Sequence, residues 1–128
     1  MIDPERVYLA YNDAENDHDV EAAAALLAPN LTVEINGRPA LSSPDDDRAA
    51  NAELLRRYPD YHREVIDVMV SGDRASIRWR MRGTPVEPAV EPLDVHGCSI
   101  VTVREGRIAL AFLYYDGAAL QSALGAVS

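Results

Sequence analysis

Two short turns in the second half of the chain constrain its fold more than any other feature. Each lies between two stretches rich in apolar residues, and each has a glycine in its central pair, Gly72-Asp73 in the first and Glu105-Gly106 in the second. Glycine supplies the positive φ that a two-residue hairpin turn needs. The sequence therefore predicts two β-hairpins, one over residues 61–83 and one over residues 93–115.

The first half of the chain is typical of helices with one short strand. Asp3 before Pro4 is a helix start, and the acids at 45–47 with Arg56-Arg57 at the other end suit a third helix. The predicted elements are helices over residues 3–14, 20–27, 45–58 and 117–124, and a strand over residues 31–35. Because helices precede a mostly antiparallel sheet, we expect one α+β domain over residues 1–128.

Composition excludes several classes of function. The formal net charge of −9 argues against nucleic acid and anionic membranes as partners. Cys98 is the one cysteine, and His18, His62 and His96 lack metal-ligand spacing, so no disulfide or metal site is expected. With no apolar signal core near Met1 and no long apolar run, we expect a cytoplasmic protein.

The first turn predicts which side chains share a face. Register counted from Gly72-Asp73 gives one apolar face that ends in a group of four residues, His62, Glu64, Trp79 and Met81. The opposite face carries arginines, among them Arg63, Arg78 and Arg80. An acid and an imidazole at the end of an apolar face are candidates for proton transfer, because burial moves both pKa values towards neutrality. The alternative is that His62 and Glu64 lie at a strand end in water.

The second turn places His96 directly across from Tyr115. Cys98 and Leu113 share their face, whose small residues leave room for a cavity. His96 and Tyr115 are thus candidates for binding or protonating a ligand carbonyl, or for a purely structural hydrogen bond. Both faces of this hairpin are apolar, which favours a homodimer that covers one of them.

Short sequence patterns along the whole chain resemble those of one superfamily. They are Tyr11-Asn12 with Asp19, Ala28-Pro29-Asn30, Tyr58-Pro59-Asp60, Gly72-Asp73-Arg74, Arg78-Trp79-Arg80, Gly83-Thr84, Glu105-Gly106-Arg107-Ile108 and Tyr114-Tyr115-Asp116. Taken together with their spacing, they resemble the SnoaL-like branch of the nuclear-transport-factor-2-like superfamily. The resemblance implies a cone-shaped α+β fold, in which N-terminal helices pack on a curved sheet that encloses a pocket.

The resemblance also implies a small apolar or polyketide-like ligand and cofactor-free acid/base chemistry, as in the family's cyclases, isomerases and dehydratases. Pocket residues would include Tyr11, Trp79, Met81, Cys98 and Leu113, with His62, Glu64, His96 and Tyr115 as the working groups. The cyclases usually carry a catalytic Asp on the last strand, and counting from Gly106 places Leu113 there. The first alternative is therefore a non-catalytic ligand-binding or accessory protein. The second is a dimeric scaffold whose cavity is filled by its own side chains.

Overall fold

The computed structural model describes residues 3–117, so the helix predicted over residues 117–124 lies almost wholly outside the described residues. The order of elements is α1 (Pro4–Asn16), α2 (Val20–Ala24), β1 (Leu27–Ile35), β2 (Arg38–Leu41), α3 (Pro44–Arg57), β3 (His62–Ser71), β4 (Arg74–Gly83), β5 (Leu93–Arg104) and β6 (Arg107–Tyr115). The helices of the described residues all precede the strands β3 to β6, and the sheet is mostly antiparallel, which confirms the predicted α+β class.

Each helix begins where a side chain can satisfy its free backbone N–H groups. Asp3 accepts from the N–H of Glu5, with Pro4 as the first helical residue. Ser43 accepts from the N–H of Asp46 at the start of α3, whose first turn is acidic and whose last turn is basic. These local signals are why the helix starts were predictable within one residue.

The strands form one six-stranded sheet in the order β2-β1-β6-β5-β4-β3. β1 and β6 run parallel, and all other neighbours run antiparallel. The helices cover one face of this sheet, where the largest fully buried side chains, Trp79, Tyr58 and Tyr61, lie. We call this the inner face and the opposite one the outer face.

The two predicted hairpin turns are confirmed. Gly72 has φ +62°, and Glu105 and Gly106 have φ +53° and +77°. Close to the first turn the pairing is the predicted one, with Val70 opposite Ala75 and Val68 opposite Ile77.

Farther from each turn, a β-bulge changes the register. Ile66 is an extra residue on β3, so Val65 rather than Ile66 lies opposite Trp79, and Arg63 lies opposite Met81. The prediction that His62 and Glu64 share the face of Trp79 is therefore wrong. A bulge reverses the facing of every residue beyond it on its own strand.

The second hairpin contains a bulge at the corresponding place. Ala109 is the extra residue on β6, and Tyr115 consequently lies opposite Gly97 instead of His96. The predicted pairing of His96 with Tyr115 is wrong for this reason. Tyr115 faces inwards, whereas His96 and Cys98 lie on the outer face.

Candidate functional site

A cavity of about 80 Å³ lies between α1, α3 and the inner face of the sheet. Most of its wall is apolar, and its residues come from all six strands and from α1 and α3. They include Leu31, Val33, Leu54, Met81, Val101 and Ala111. This wall can hold an apolar ligand, since burying apolar surface is the main driving force for such binding.

One side of the cavity carries a hydrogen-bonded group of three side chains that joins α1 to α3. The Tyr11 hydroxyl donates to the two carboxylate oxygens of Asp47 at 3.0 and 3.2 Å. The Asn51 amide donates to the same carboxylate at 3.1 Å. Asp47 and Asn51 are four residues apart, so both project from one face of α3. We call these three residues the Asp47 triad.

Asp47 is a buried acid, although it follows two acids that are partly or fully exposed. Asp47 is 7% exposed, and burial together with the negative Glu15 raises its pKa from 3.8 to about 7. Hydrogen bonding from Tyr11 and the charges of Arg63 and Arg48 oppose this rise. A carboxyl group with this pKa exists in both protonation states near neutral pH.

A buried ion pair lies beside the Asp47 triad. The Arg63 guanidinium donates to both oxygens of Glu15 at 2.8 and 3.0 Å, and the side chain of Glu15 is 1% exposed. Although burial opposes the charged form, Glu15 raises the pKa of Arg63 above its ordinary value. The guanidinium of Arg63 therefore stays charged at every pH of interest.

The ion pair extends into the aromatic wall of the cavity. The guanidinium of Arg63 lies 5.3 Å from the ring centre of Trp79, a cation–π distance. The Trp79 indole N–H donates to the Ser99 hydroxyl at 2.9 Å. These contacts fix the position of the indole ring, which lines the cavity.

The backbone of Arg63 is held by α1 as well. The Asn16 side chain accepts from the Arg63 N–H at 2.8 Å and donates to the Arg63 carbonyl at 2.9 Å. β3 is an edge strand, so these backbone groups have no neighbouring strand on that side. Asn16 thereby anchors the part of β3 that the bulge at Ile66 turns inwards.

The structure places the predicted site residues on two different faces of the sheet. His62, Glu64 and His96 are exposed on the outer face, and Cys98 is partly exposed there. Tyr11, Trp79, Met81 and Leu113 line the cavity. Tyr115 is buried next to Trp79, with ring centres 6.0 Å apart, and its hydroxyl has no hydrogen-bond partner among the described residues. Burial raises the pKa of Tyr115 to about 12.

Sequence reasoning missed the polar residues that do line the cavity. The sequence placed Asp47 only among the acids at the start of the third helix, and it placed Arg63 on the face opposite the apolar one. A helical pattern could have revealed Asp47, because Ala50, Asn51 and Leu54 follow it at spacings of three, four and seven residues on one buried face. No comparable signal was present for Arg63.

Comparison with known proteins identifies the family. The model of the SnoaL-like domain matches residues 8–111, so the chain belongs to the SnoaL-like domain family. No curated protein matches the sequence.

Solved structures with the same fold include three of similar size. IdmH from Streptomyces antibioticus, a proposed polyketide cyclase, is 22% identical, with a TM-score of 0.79, 95% of this chain covered and 98% of IdmH. A proposed SnoaL-like polyketide cyclase from Jannaschia sp. CCS1 is 18% identical, with a TM-score of 0.75 and coverage of 98% and 91%. A protein with a ketosteroid isomerase-like fold from Catenulispora acidiphila, solved with trimethylamine, is 17% identical, with a TM-score of 0.77 and coverage of 93% and 92%.

Two features are absent from residues 3–117. No helix in that range has the length and apolar character needed to cross a membrane. Over the same range, no three His, Cys, Asp or Glu side chains are grouped as ligands for a metal ion.

Proposed function

We propose that this protein binds a small, largely apolar molecule of polyketide-like character in the cavity and performs cofactor-free acid/base chemistry on it. The observation that carries the proposal is the composition of the cavity: an apolar wall with a small set of hydrogen-bonded polar groups on one side. Such a site binds by apolar contact and orients by a few polar ones. Cyclisation, isomerisation and dehydration all require the proton transfer that these groups can support.

Membership of the SnoaL-like family and the fold shared with IdmH, a proposed polyketide cyclase, support the same class of ligand. A second candidate function is ligand binding without catalysis. Leu113 favours it, because an apolar side chain stands where the resemblance places the acid. The two candidates share the ligand site and differ only in whether a proton moves.

Binding can be tested with 2-naphthol, a neutral aromatic probe whose fluorescence reports its surroundings. Ala50 is 1% exposed on the cavity side of α3, so Ala50→Leu places three extra carbon atoms in the ligand space. Ala52 is exposed on the same helix, and Ala52→Leu is the matched control. We expect Ala50→Leu to weaken binding at least about tenfold, equivalent to about 1.4 kcal/mol, and Ala52→Leu to leave it unchanged.

The binding proposal fails if the unaltered protein does not bind the probe, or if folded Ala50→Leu binds it as tightly. Ala111→Val makes a smaller change at another point of the wall and serves if Ala50→Leu does not fold. Chemical-shift changes confined to cavity residues locate the probe independently.

A homodimer through the outer face of the sheet is part of the same proposal. On that face Met69 is 69% exposed and Tyr114 is 48% exposed, with Ile100 and Phe112 partly exposed between them. The partner of greatest apolar complementarity is a second copy of this face. We expect sedimentation to show a dimer and Tyr114→Glu to shift it towards monomer; a monomer at micromolar concentration in the unaltered protein would contradict the proposal.

A further inference from the structure

We propose that Asp47 is the residue that transfers protons in this cavity, taking over from helix α3 the task that the resemblance assigns to an acid at position 113. The inference deepens the proposed function and rests on it, because Asp47 acts only on a molecule bound in the cavity. The substrate it implies is a carbon acid: a molecule with an acidic C–H bond whose electron pair can be delocalised onto an oxygen atom.

The charges around the cavity do not balance when Asp47 is ionised. Three ionisable side chains with formal charge line it, namely Glu15, Asp47 and Arg63. Glu15 and Arg63 are joined by two hydrogen bonds and neutralise each other. Asp47 is therefore the charge without a counterion in this group.

The hydrogen-bond partners of Asp47 are neutral. Among the described residues its carboxylate is bonded by Tyr11 and Asn51, while the neighbouring Arg48 is engaged by Glu21 and Asp45. A buried carboxylate that served stability alone would normally be paired with a cation, because an unpaired buried charge is costly. The arrangement preserves a reactive carboxylate at the cost of stability, as functional sites often do.

The Asp47 triad also holds the carboxylate in one orientation. Tyr11 reaches both oxygens from α1, and Asn51 reaches one of them from the next turn of α3. A proton-transfer group needs this fixed geometry as well as a suitable pKa.

The groups facing Asp47 place its titration near neutral pH. Burial and Glu15 of α1 raise its pKa to about 7, while Tyr11 of α1, Arg63 of β3 and Arg48 of its own helix act in the other direction. A base is most effective when its pKa lies near the working pH, since it is then both ionised and able to hold the proton.

The chemical step is a reversible proton transfer. The ionised carboxylate takes a proton from carbon: the C–H bond breaks, an O–H bond forms on Asp47, and the electron pair moves through the ligand to its oxygen. Returning the proton to another atom of the ligand restores the carboxylate. Arg63 lines the same cavity, and its Nε–H, which has no hydrogen-bond partner among the described residues, is the donor for that ligand oxygen.

The test uses 5-nitrobenzisoxazole, a compact apolar probe that reports on a buried base. Removal of its ring C–H proton breaks the N–O bond, forms a nitrile and leaves a coloured phenolate that carries the electron pair. We expect the rate to rise with pH through an inflection near the pKa of Asp47. Asp47→Asn should lower the rate at least about a hundredfold, the scale of general-base catalysis, while Asp45→Asn, a change of the exposed acid in the same turn, should keep it within about twofold.

A second variant distinguishes a catalytic from a structural role. Tyr11→Phe removes a donor that stabilises the ionised carboxylate, so the inflection of the rate should move to higher pH. If Tyr11→Phe only disturbed the structure of the site, it would lower the rate at all pH values without moving the inflection. This result would overturn the proposal.

The remaining outcomes are also decisive. If the Asp47→Asn variant folds and converts the probe at the rate of the unaltered protein, Asp47 is not the proton-transfer residue. If the probe binds in the cavity and Ala50→Leu weakens that binding, but the probe is not converted, proton transfer is overturned. The proposed ligand binding then remains intact. Probe that does not bind at all overturns both proposals.

Discussion

The buried carboxyl group of Asp47 should make the protein less stable as the pH rises. Its pKa increases on folding from 3.8 to about 7, so the folded chain holds a proton that the unfolded chain releases. A carboxyl group of this kind stabilises the folded state fully below its unfolded pKa, and the contribution is lost as the pH rises through the folded pKa. The window of the effect is therefore about pH 4 to pH 7.

The size of the effect follows from the shift in pKa. One pKa unit corresponds to about 1.4 kcal/mol, so the rise from 3.8 to about 7 amounts to about 4 kcal/mol once both states are ionised. Integrated only between about pH 5 and about pH 8, the loss is about 2.5 kcal/mol. Asp47→Asn carries a neutral side chain of similar shape at every pH, so it should not show this loss.

Urea unfolding at these two pH values measures the effect directly. We expect the free energy of unfolding of the unaltered protein, relative to Asp47→Asn, to fall by about 2.5 kcal/mol from about pH 5 to about pH 8. Asp45→Asn is the control, because Asp45 lies on the surface of the same helical turn. Acids with lowered pKa, such as Glu53 and Asp94, titrate below this window and are common to all variants. Parallel pH dependence in the unaltered protein and Asp47→Asn would refute the reasoning.

Two further predictions concern the walls of the cavity. Glu15→Met leaves the buried guanidinium of Arg63 without its partner and should cost about 3–5 kcal/mol of unfolding free energy, whereas the double variant with Arg63→Met should cost less than either single change. A cost below about 1 kcal/mol for Glu15→Met, measured by urea unfolding, would show that Arg63 is not dependent on this pair. Gly97→Ala places a methyl group 2.4 Å from the ring atoms of Trp79, which is 1% exposed and cannot move outwards. We expect a loss of about 1–3 kcal/mol together with altered tryptophan fluorescence; unchanged stability and fluorescence would contradict the close packing.

The local parts of the fold were readable from the sequence. Asp3-Pro4 and the acids before Arg48 marked helix starts because capping and helix-dipole effects act within one turn. Gly72 and Gly106 marked the hairpin turns because positive φ is a property of single residues. The family could be recognised from such signals because they recur at characteristic spacings along the whole chain.

At the far ends of the hairpins, contacts between residues distant in sequence decide which side chains face inwards and which face outwards. Val65 and Ile66 are adjacent, and both are β-branched, so alternation along β3 fits either register. The bulge at Ile66 turns Arg63 towards Glu15, which lies 48 residues earlier on α1, and that contact has no local signature. The bulge at Ala109 likewise sends Tyr115 inwards against Trp79.

The candidate site shows the same division. Tyr11, Trp79, Met81 and Leu113 were predicted as pocket residues and line the cavity, while His62, Glu64, His96 and Cys98 lie outside it. The sequence by itself determined the helices, the turns and the family. Only the tertiary structure decided which polar groups enter the cavity, because a turn fixes strand register no farther than the next bulge, and the burial of Asp47 depends on how α3 packs against α1 and the sheet.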